Sequence, residues 1–197
     1  MEGKGLGNLS KAKYSIIFFG IILLIWGVFT FFSEKSASFS KPSEALYSID
    51  ENLLLIPAYK VKSESLYFFI KDKNKLGATF VNEGFFGWKA GDLLYSNIGK
   101  MKDYEKLNKY QVHDDYLIYG LIRNANHYQI KVNGHEAKII NLAMVDASKV
   151  KEYGLEGMSL WYYKSKIPLA DGEIQLFSQD TKKLIDTEKL ILEKDTN

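Results

Sequence analysis

The chain has 197 residues, 46% of them hydrophobic and 14% aromatic, which is ample for a packed core and excludes global disorder. It has no cysteine, which excludes disulfides, thiolate catalysis, Cys-ligated zinc and a lipidated N-terminal Cys. The first 32 residues carry Lys4, Lys11, Lys13 and Glu2, so beyond them the 26 basic and 24 acidic side chains, less three and less one, balance with Arg123 as the single arginine; that neutrality argues against nucleic acid as the main partner.

Residues 1–13 read as a short cytoplasmic tail. From Tyr14 to Ser33 runs an uncharged, mostly apolar stretch of 20 residues. At about 1.5 Å per residue it forms a helix of about 30 Å, the hydrocarbon thickness of a bilayer, so residues 14–33 read as a transmembrane helix with the lipid bilayer as its partner. Tyr14 stands at one end and Phe29, Phe31 and Phe32 near the other, as interfacial aromatics do, while Trp26 lies deeper. The lysines precede the stretch, so the N-terminus is expected in the cytoplasm and everything after Ser33 outside it. A cleaved signal peptide ending near Ser36-Ala37-Ser38 is the competing reading. It is weaker, because the run exceeds the usual h-region of about 7–15 residues and ends in bulky Phe.

Residues 34–44 are Ser- and Lys-rich with one Pro and read as a tether. A short helix is expected over 42–49, with Ala45, Leu46 and Ile49 on one face. The exported β domain is expected over 45–192, with residues 193–197 as a tail and a division into halves 45–100 and 112–192 as one arrangement. Runs rich in β-branched and aromatic residues predict strands over 53–61, 66–71, 78–81, 116–122, 128–132, 137–142, 160–167, 173–177 and 183–192, a spacing typical of antiparallel sandwiches.

Between the third and fourth runs lies the most distinctive segment, residues 82–92, with Gly84, Gly87 and Gly91 among Phe85, Phe86 and Trp88. Its spacing matches no phosphate loop. One reading is a turn whose glycines take positive φ while Phe86 or Trp88 plugs the core; parity along an extended segment puts these two, being two apart, on the core side and points Phe85 the other way. The other is an interaction patch of Phe85, Phe86 and Trp88 for a glycan, a lipid headgroup or a partner protein. A helix is expected over 101–110 from Met101, Tyr104 and Leu107. His113-Asp114-Asp115 offers ligand-type atoms, yet adjacent residues in an extended segment point apart, so a solvated turn is expected and no metal site.

Asn133-Gly134 predicts a type I′ hairpin, since both residues tolerate positive φ. A two-residue loop sets Val132 opposite His135, Lys131 opposite Glu136, Ile130 opposite Ala137, Gln129 opposite Lys138 and Tyr128 opposite Ile139. The apolar residues then share one face, and an opposite-charge pair falls directly across the strands. In this register His127 and His135 point to opposite faces and do not share a metal ion. Residues 147–153 read as a helix with Asp146 as N-cap and Gly154 as the left-handed residue beyond its end. Leu160-Trp161-Tyr162-Tyr163 alternates Leu160 and Tyr162 with Trp161 and Tyr163, and both faces are expected to be covered. There is no G-x-S-x-G elbow and no carboxylate pattern that picks out an acid/base pair, so no catalytic residue and no cofactor is assigned.

Taken with the N-terminal anchor, the Tyr67-Phe68-Phe69 strand, the GFFGWK segment, Tyr119-Gly120-Leu121-Ile122, the Lys131-Val132-Asn133-Gly134 hairpin and Leu160-Trp161-Tyr162-Tyr163, the chain resembles small single-pass envelope proteins of Gram-positive bacteria over residues 45–192. The resemblance implies an exported β-rich fold and transfers no catalytic residue. The expectation is a mostly β protein: an N-terminal transmembrane helix followed by an antiparallel β-sandwich-like extracytoplasmic domain with one or two short helices. Its expected role is a non-enzymatic binding or accessory module that contacts another envelope protein or a wall component. An envelope hydrolase with an unrecognised site and the ectodomain of a membrane sensor or regulator are the alternatives.

Overall fold

The computed structural model describes residues 6–99, 104–107 and 109–192, with side chains from Ile17 onward. The fold is mostly β, as expected: antiparallel strands in three sheets, preceded by one long apolar helix.

Helix α1 (Leu6–Ser36) carries the apolar span Ile17–Ser36, none of which is buried by the rest of the chain. It is long and apolar enough to cross a membrane. The helix extends beyond the expected 14–33 at both ends, because adding a residue to a formed helix costs far less than nucleating one. Serine hydroxyls finish it: Ser38 Oγ donates to the Glu34 carbonyl (2.8 Å), an acceptor that the last turn leaves open, and Ser36 Oγ adds to the Ala37 amide on the Ser33 carbonyl (2.9 Å). The stretch 34–44, expected as a tether, is therefore structured: it holds the end of α1, a β-bridge at Phe39 and the start of α2 (Pro42–Tyr47). Pro42 at the first helical turn suits α2, and Ala45 and Leu46 are buried. Ile49, expected on the same face, is 54% exposed because α2 has ended before it.

The first sheet contains β1 (Leu54–Val61), β2 (Glu64–Lys71), β3 (Lys75–Gly84), β4 (Gly87–Ala90) and β5 (Leu94–Asn97). Its order is β1-β2-β3-β4, and β5 pairs with the early half of β3. Pro57 is tolerated because β1 is an edge strand, and the register shifts beside it. The second sheet has order β10-β11-β7-β6, from β6 (Tyr110–His113), β7 (Leu117–Arg123), β10 (Lys138–Asn141) and β11 (Met158–Lys164). The third has order β13-β12-β8-β9, from β8 (Tyr128–Val132), β9 (His135–Glu136), β12 (Gly172–Ser178) and β13 (Leu184–Leu190). The expected helix over 101–110 falls partly outside the described residues; Tyr104 and Leu107 are buried, and Tyr110 opens a strand.

Strand parity explains how the sheets stack. Leu117, Tyr119 and Leu121 of β7 and Met158, Leu160 and Tyr162 of β11 pack with Leu54, Ile56, Leu66, Phe68 and Ile70 of the first sheet. The intervening residues Ile118, Ile122 and Trp161 pack with Ile130, Val132, Ile174 and Leu176 of the third. The middle sheet is thus covered on both faces, as the Leu160 to Tyr163 alternation predicted. A shared core also joins the two expected halves into one body. On the outer face of the first sheet, α2 closes a third cluster with Leu53, Leu55, Phe69, Val81 and Trp88.

The Asn133-Gly134 hairpin forms with φ of 49° and 80° at its two loop residues. Val132 faces His135 and Lys131 faces Glu136, and the Ala137 amide donates to the Ile130 carbonyl (2.9 Å). Beyond Ala137 the predicted register is overturned: the chain leaves β8, and Lys138 and Ile139 pair with Tyr162 and Trp161 in the second sheet. Ile139 consequently lies on the surface rather than on the hairpin's apolar face. Helix α3 (Ala147–Glu152) forms as expected, with Asp146 Oδ1 accepting from the Ser148 and Lys149 amides and Gly154 at φ 67°.

Candidate functional site

The glycine-aromatic segment is the β3–β4 hairpin. Gly84 pairs with Gly87, so Phe85 and Phe86 form the whole loop. Gly87 takes φ 131°, and a Cβ there would lie 2.4 Å from the Phe39 carbonyl oxygen. Only glycine lets β4 approach the chain leaving α1 this closely. That approach makes a reciprocal bridge in which the Phe39 amide donates to the Trp88 carbonyl (2.9 Å) and the Trp88 amide to the Phe39 carbonyl (2.8 Å).

The three aromatics singled out from the sequence occupy three environments. Trp88 is 2% exposed and buried among Leu46, Leu53, Phe69 and Val81, with the Lys60 ammonium 4.5 Å from its ring centroid. Phe85 is 94% exposed. Phe86, expected to share the core with Trp88, is half-buried and belongs to no core cluster. Its ring instead meets Phe31 of α1 edge-on at 4.9 Å and Phe85 at 5.0 Å. Parity holds along a strand and ends at the turn, which is why it fails for Phe86. Beside this contact Lys89 pairs with Glu34 of α1.

A second feature is a groove of about 500 Å³ where the three sheets meet, lined by Tyr59, Val61 and Glu64 of the first sheet, Tyr162 to Lys166 along and beyond β11, and Glu136 and Lys138. Tyr59 donates to Glu64 Oε1 (2.8 Å), and Lys164 Nζ reaches both Tyr59 Oη (2.5 Å) and Glu64 Oε1 (2.7 Å). The Lys164 ammonium also sits 4.4 Å from the Phe80 ring centroid. Burial raises the Glu64 carboxyl's pKa, but the hydrogen bonds from Lys164 and Tyr59 outweigh it and hold the group below the ordinary carboxylate value. Burial, with Glu64 alongside, pushes the Tyr59 phenol up. The result is a tyrosine-walled trough with a fixed cation and carboxylate at its rim, suited to a ligand that carries both rings or hydroxyls and charge. Sequence reading missed it because Tyr59 and Lys164 are brought together only by the stacking of two sheets.

His113 corrects the expected solvated turn. Asp114 and Asp115 are exposed and Asp114 takes φ 48°, but His113 is only 6% exposed at the end of β6, its ring 5.6 Å from that of Phe80. Burial lowers its pKa against the opposing pull of Asp114, whose Oδ2 is 3.6 Å from Nε2. No group of three or more His, Asp or Glu able to hold a metal ion occurs among the described residues. His127 lies in the 3-10 turn Ala125–His127, and His135 stacks on Tyr163 with centroids 5.7 Å apart. Comparison with protein-family models, curated proteins and solved structures returns no match.

Proposed function

We propose that this chain is a single-pass membrane protein with its N-terminus in the cytoplasm and its β domain outside, acting as a non-enzymatic binding or accessory module that contacts another envelope protein or a wall component. The observation that carries the reading is the docking of the domain on its own apolar helix. The Phe39–Trp88 bridge, the Phe31–Phe86 ring contact and the Glu34–Lys89 ion pair hold the β domain against the end of α1 at a fixed pose. A module that meets a neighbour in the same membrane gains from such pre-organisation, because less orientational freedom is lost on binding. The tyrosine-walled groove supplies a recognition surface of suitable chemistry.

The same docking favours a second reading, the ectodomain of a membrane sensor or regulator, since a ligand that displaced the domain would move α1 with it. Two measurements test these proposals. A reporter fused after Asn197 should be active only when it functions outside the cytoplasm; activity confined to the cytoplasm overturns the orientation. Photo-crosslinkers placed at Tyr163 and Lys166 in intact membranes should capture an envelope component from the groove. Capture that is unchanged in a Lys164→Ala, Tyr59→Ala variant would remove the groove from the proposal.

A further inference from the structure

Two-residue hairpin loops favour Asn, Asp and Gly, which tolerate positive φ and water. The β3–β4 loop instead consists of Phe85 and Phe86, with positive φ displaced onto Gly87. Among the described residues only Phe86 touches the Phe85 ring, which stays 94% exposed, and Phe86 in turn meets Phe31, a residue of the apolar span. Phe31 lies two residues from Ser33, about 3 Å along the helix axis from the polar end of the span. A ring in contact with it therefore sits at the same depth.

The surroundings are those of a membrane interface. Lys35 stands in the last turn of α1, Lys89, after Trp88, is held by Glu34, and Lys60 and Lys62 flank the exposed Val61 beside the loop, where the Glu83 amide donates to the Ser63 carbonyl (2.7 Å). Long ammonium side chains beside apolar rings match phosphate headgroups lying next to acyl chains.

We infer that the Phe85-Phe86 loop inserts into the leaflet that α1 leaves, as a second lipid contact that fixes the orientation of the β domain on the bilayer. The inference rests on the reading that α1 crosses the membrane. Its occupant is the lipid already contacted by Phe31; a second copy of the chain or a protein partner is an outcome of the test.

The chain has no cysteine, so single thiols report cleanly. Full-length Phe85→Cys, Asn74→Cys and Leu24→Cys proteins are reconstituted into phosphatidylcholine and phosphatidylglycerol vesicles. Asn74 lies in the exposed turn at the other end of β3, about 30 Å from the loop along the strand. In vesicles with the domain outward, a charged, impermeant maleimide should modify the Phe85→Cys protein an order of magnitude more slowly than the Asn74→Cys protein. A fluorophore on the thiol of Phe85→Cys should be quenched by lipids spin-labelled near the headgroup, and one on the thiol of Leu24→Cys by lipids labelled deep in the acyl chain. Deep quenching at position 24 together with rapid modification and no quenching at position 85 would overturn the inference and leave the membrane anchor standing. Absence of quenching at position 24 would instead defeat the anchor itself. Slow modification of Phe85→Cys without lipid quenching would replace lipid by protein as the occupant and overturn the inference as well.

Discussion

Truncating Trp88 and Phe85 to alanine, three residues apart on one hairpin, sets the buried and exposed ends of the glycine-aromatic segment against each other. Trp88 is 2% exposed and Phe85 94%. A Trp side chain removes about 150–250 Å² from water, which at about 25 cal/mol per Å² amounts to about 4–6 kcal/mol. Partial collapse of the cavity brings the expected cost of Trp88→Ala to about 3–5 kcal/mol. Against a typical total of about 5–15 kcal/mol, that loss moves a denaturation midpoint decisively. Phe85→Ala surrenders only an edge contact with Phe86 at the surface, so its cost should stay below about 1 kcal/mol. Urea unfolding of the full-length chain in detergent, followed by far-ultraviolet circular dichroism so that tryptophan loss does not distort the signal, measures both. A Trp88→Ala protein within about 1 kcal/mol of wild type would refute the core assignment.

The turn supplies a second contrast. Gly134→Val should cost about 1 kcal/mol or more, because a β-branched residue is forced to φ 80°, whereas Lys138→Ala on the exposed start of β10 should cost within about 0.5 kcal/mol; equal costs in the same unfolding assay would contradict the turn geometry. His113 makes stability depend on pH. Its folded pKa is depressed by burial, so the unfolded chain binds the proton first, and stability present above the ordinary histidine value of about 6.5 should decline as pH falls below it. Replacement by Gln should flatten unfolding curves between pH 7 and pH 5, and an unchanged slope would exonerate this residue. Tyr59 acts at the other extreme: its raised pKa gives stability that is complete below the ordinary phenol value of about 10 and is lost as pH climbs beyond it, an alkaline decline that Tyr59→Phe should lessen. Finally, Gly87→Ala drives a Cβ against the Phe39 carbonyl oxygen and should break the Phe39–Trp88 bridge. Limited proteolysis should then cut residues 36–41 readily in the variant and slowly in wild type; equal rates would mean that the bridge does not restrain this segment.

Much of the β architecture was legible because the relevant physics is local. Tyr119 to Ile122 and Leu160 to Tyr163 are apolar at both parities, the mark of strands buried on two faces, and these became the central strands β7 and β11 of the middle sheet. Asp146 and Gly154 announced α3 through capping chemistry. Asn133-Gly134 fixed the register as far as Ala137, and there the local information ended. Residues 137–142 carry an apolar alternation that satisfies the edge of β11 as readily as that of β8, and periodicity names a strand without naming its partner. The missed strands β4, β5 and β6 are four residues each; β5 is exposed throughout and β4 begins at a glycine, so none shows an alternation long enough to read.

The candidate sites were less legible for a related reason: each is made by residues far apart in sequence. Glu34 and Lys89, Phe31 and Phe86, and Tyr59 and Lys164 meet only once the sheets are stacked and β4 has closed on the chain leaving α1. Composition pointed to residues 82–92 as unusual but assigned the three aromatics by parity, which a turn cancels. The same pairings connect the two features functionally. Glu64, at the rim of the groove, pairs in register with Asn82, three residues before Phe85, so the end of the groove formed by Tyr59, Val61 and Glu64 lies about 10 Å along β3 from the loop. In the proposed pose, with Phe85 and Phe86 in the leaflet, that end would stand at headgroup height, where the Lys164–Glu64 pair would face material lying flat on the bilayer or a neighbour emerging from it. Under that proposal docking on α1 and recognition in the groove would be parts of one arrangement, because the loop would set the height at which Lys164, Tyr59 and Glu64 are presented.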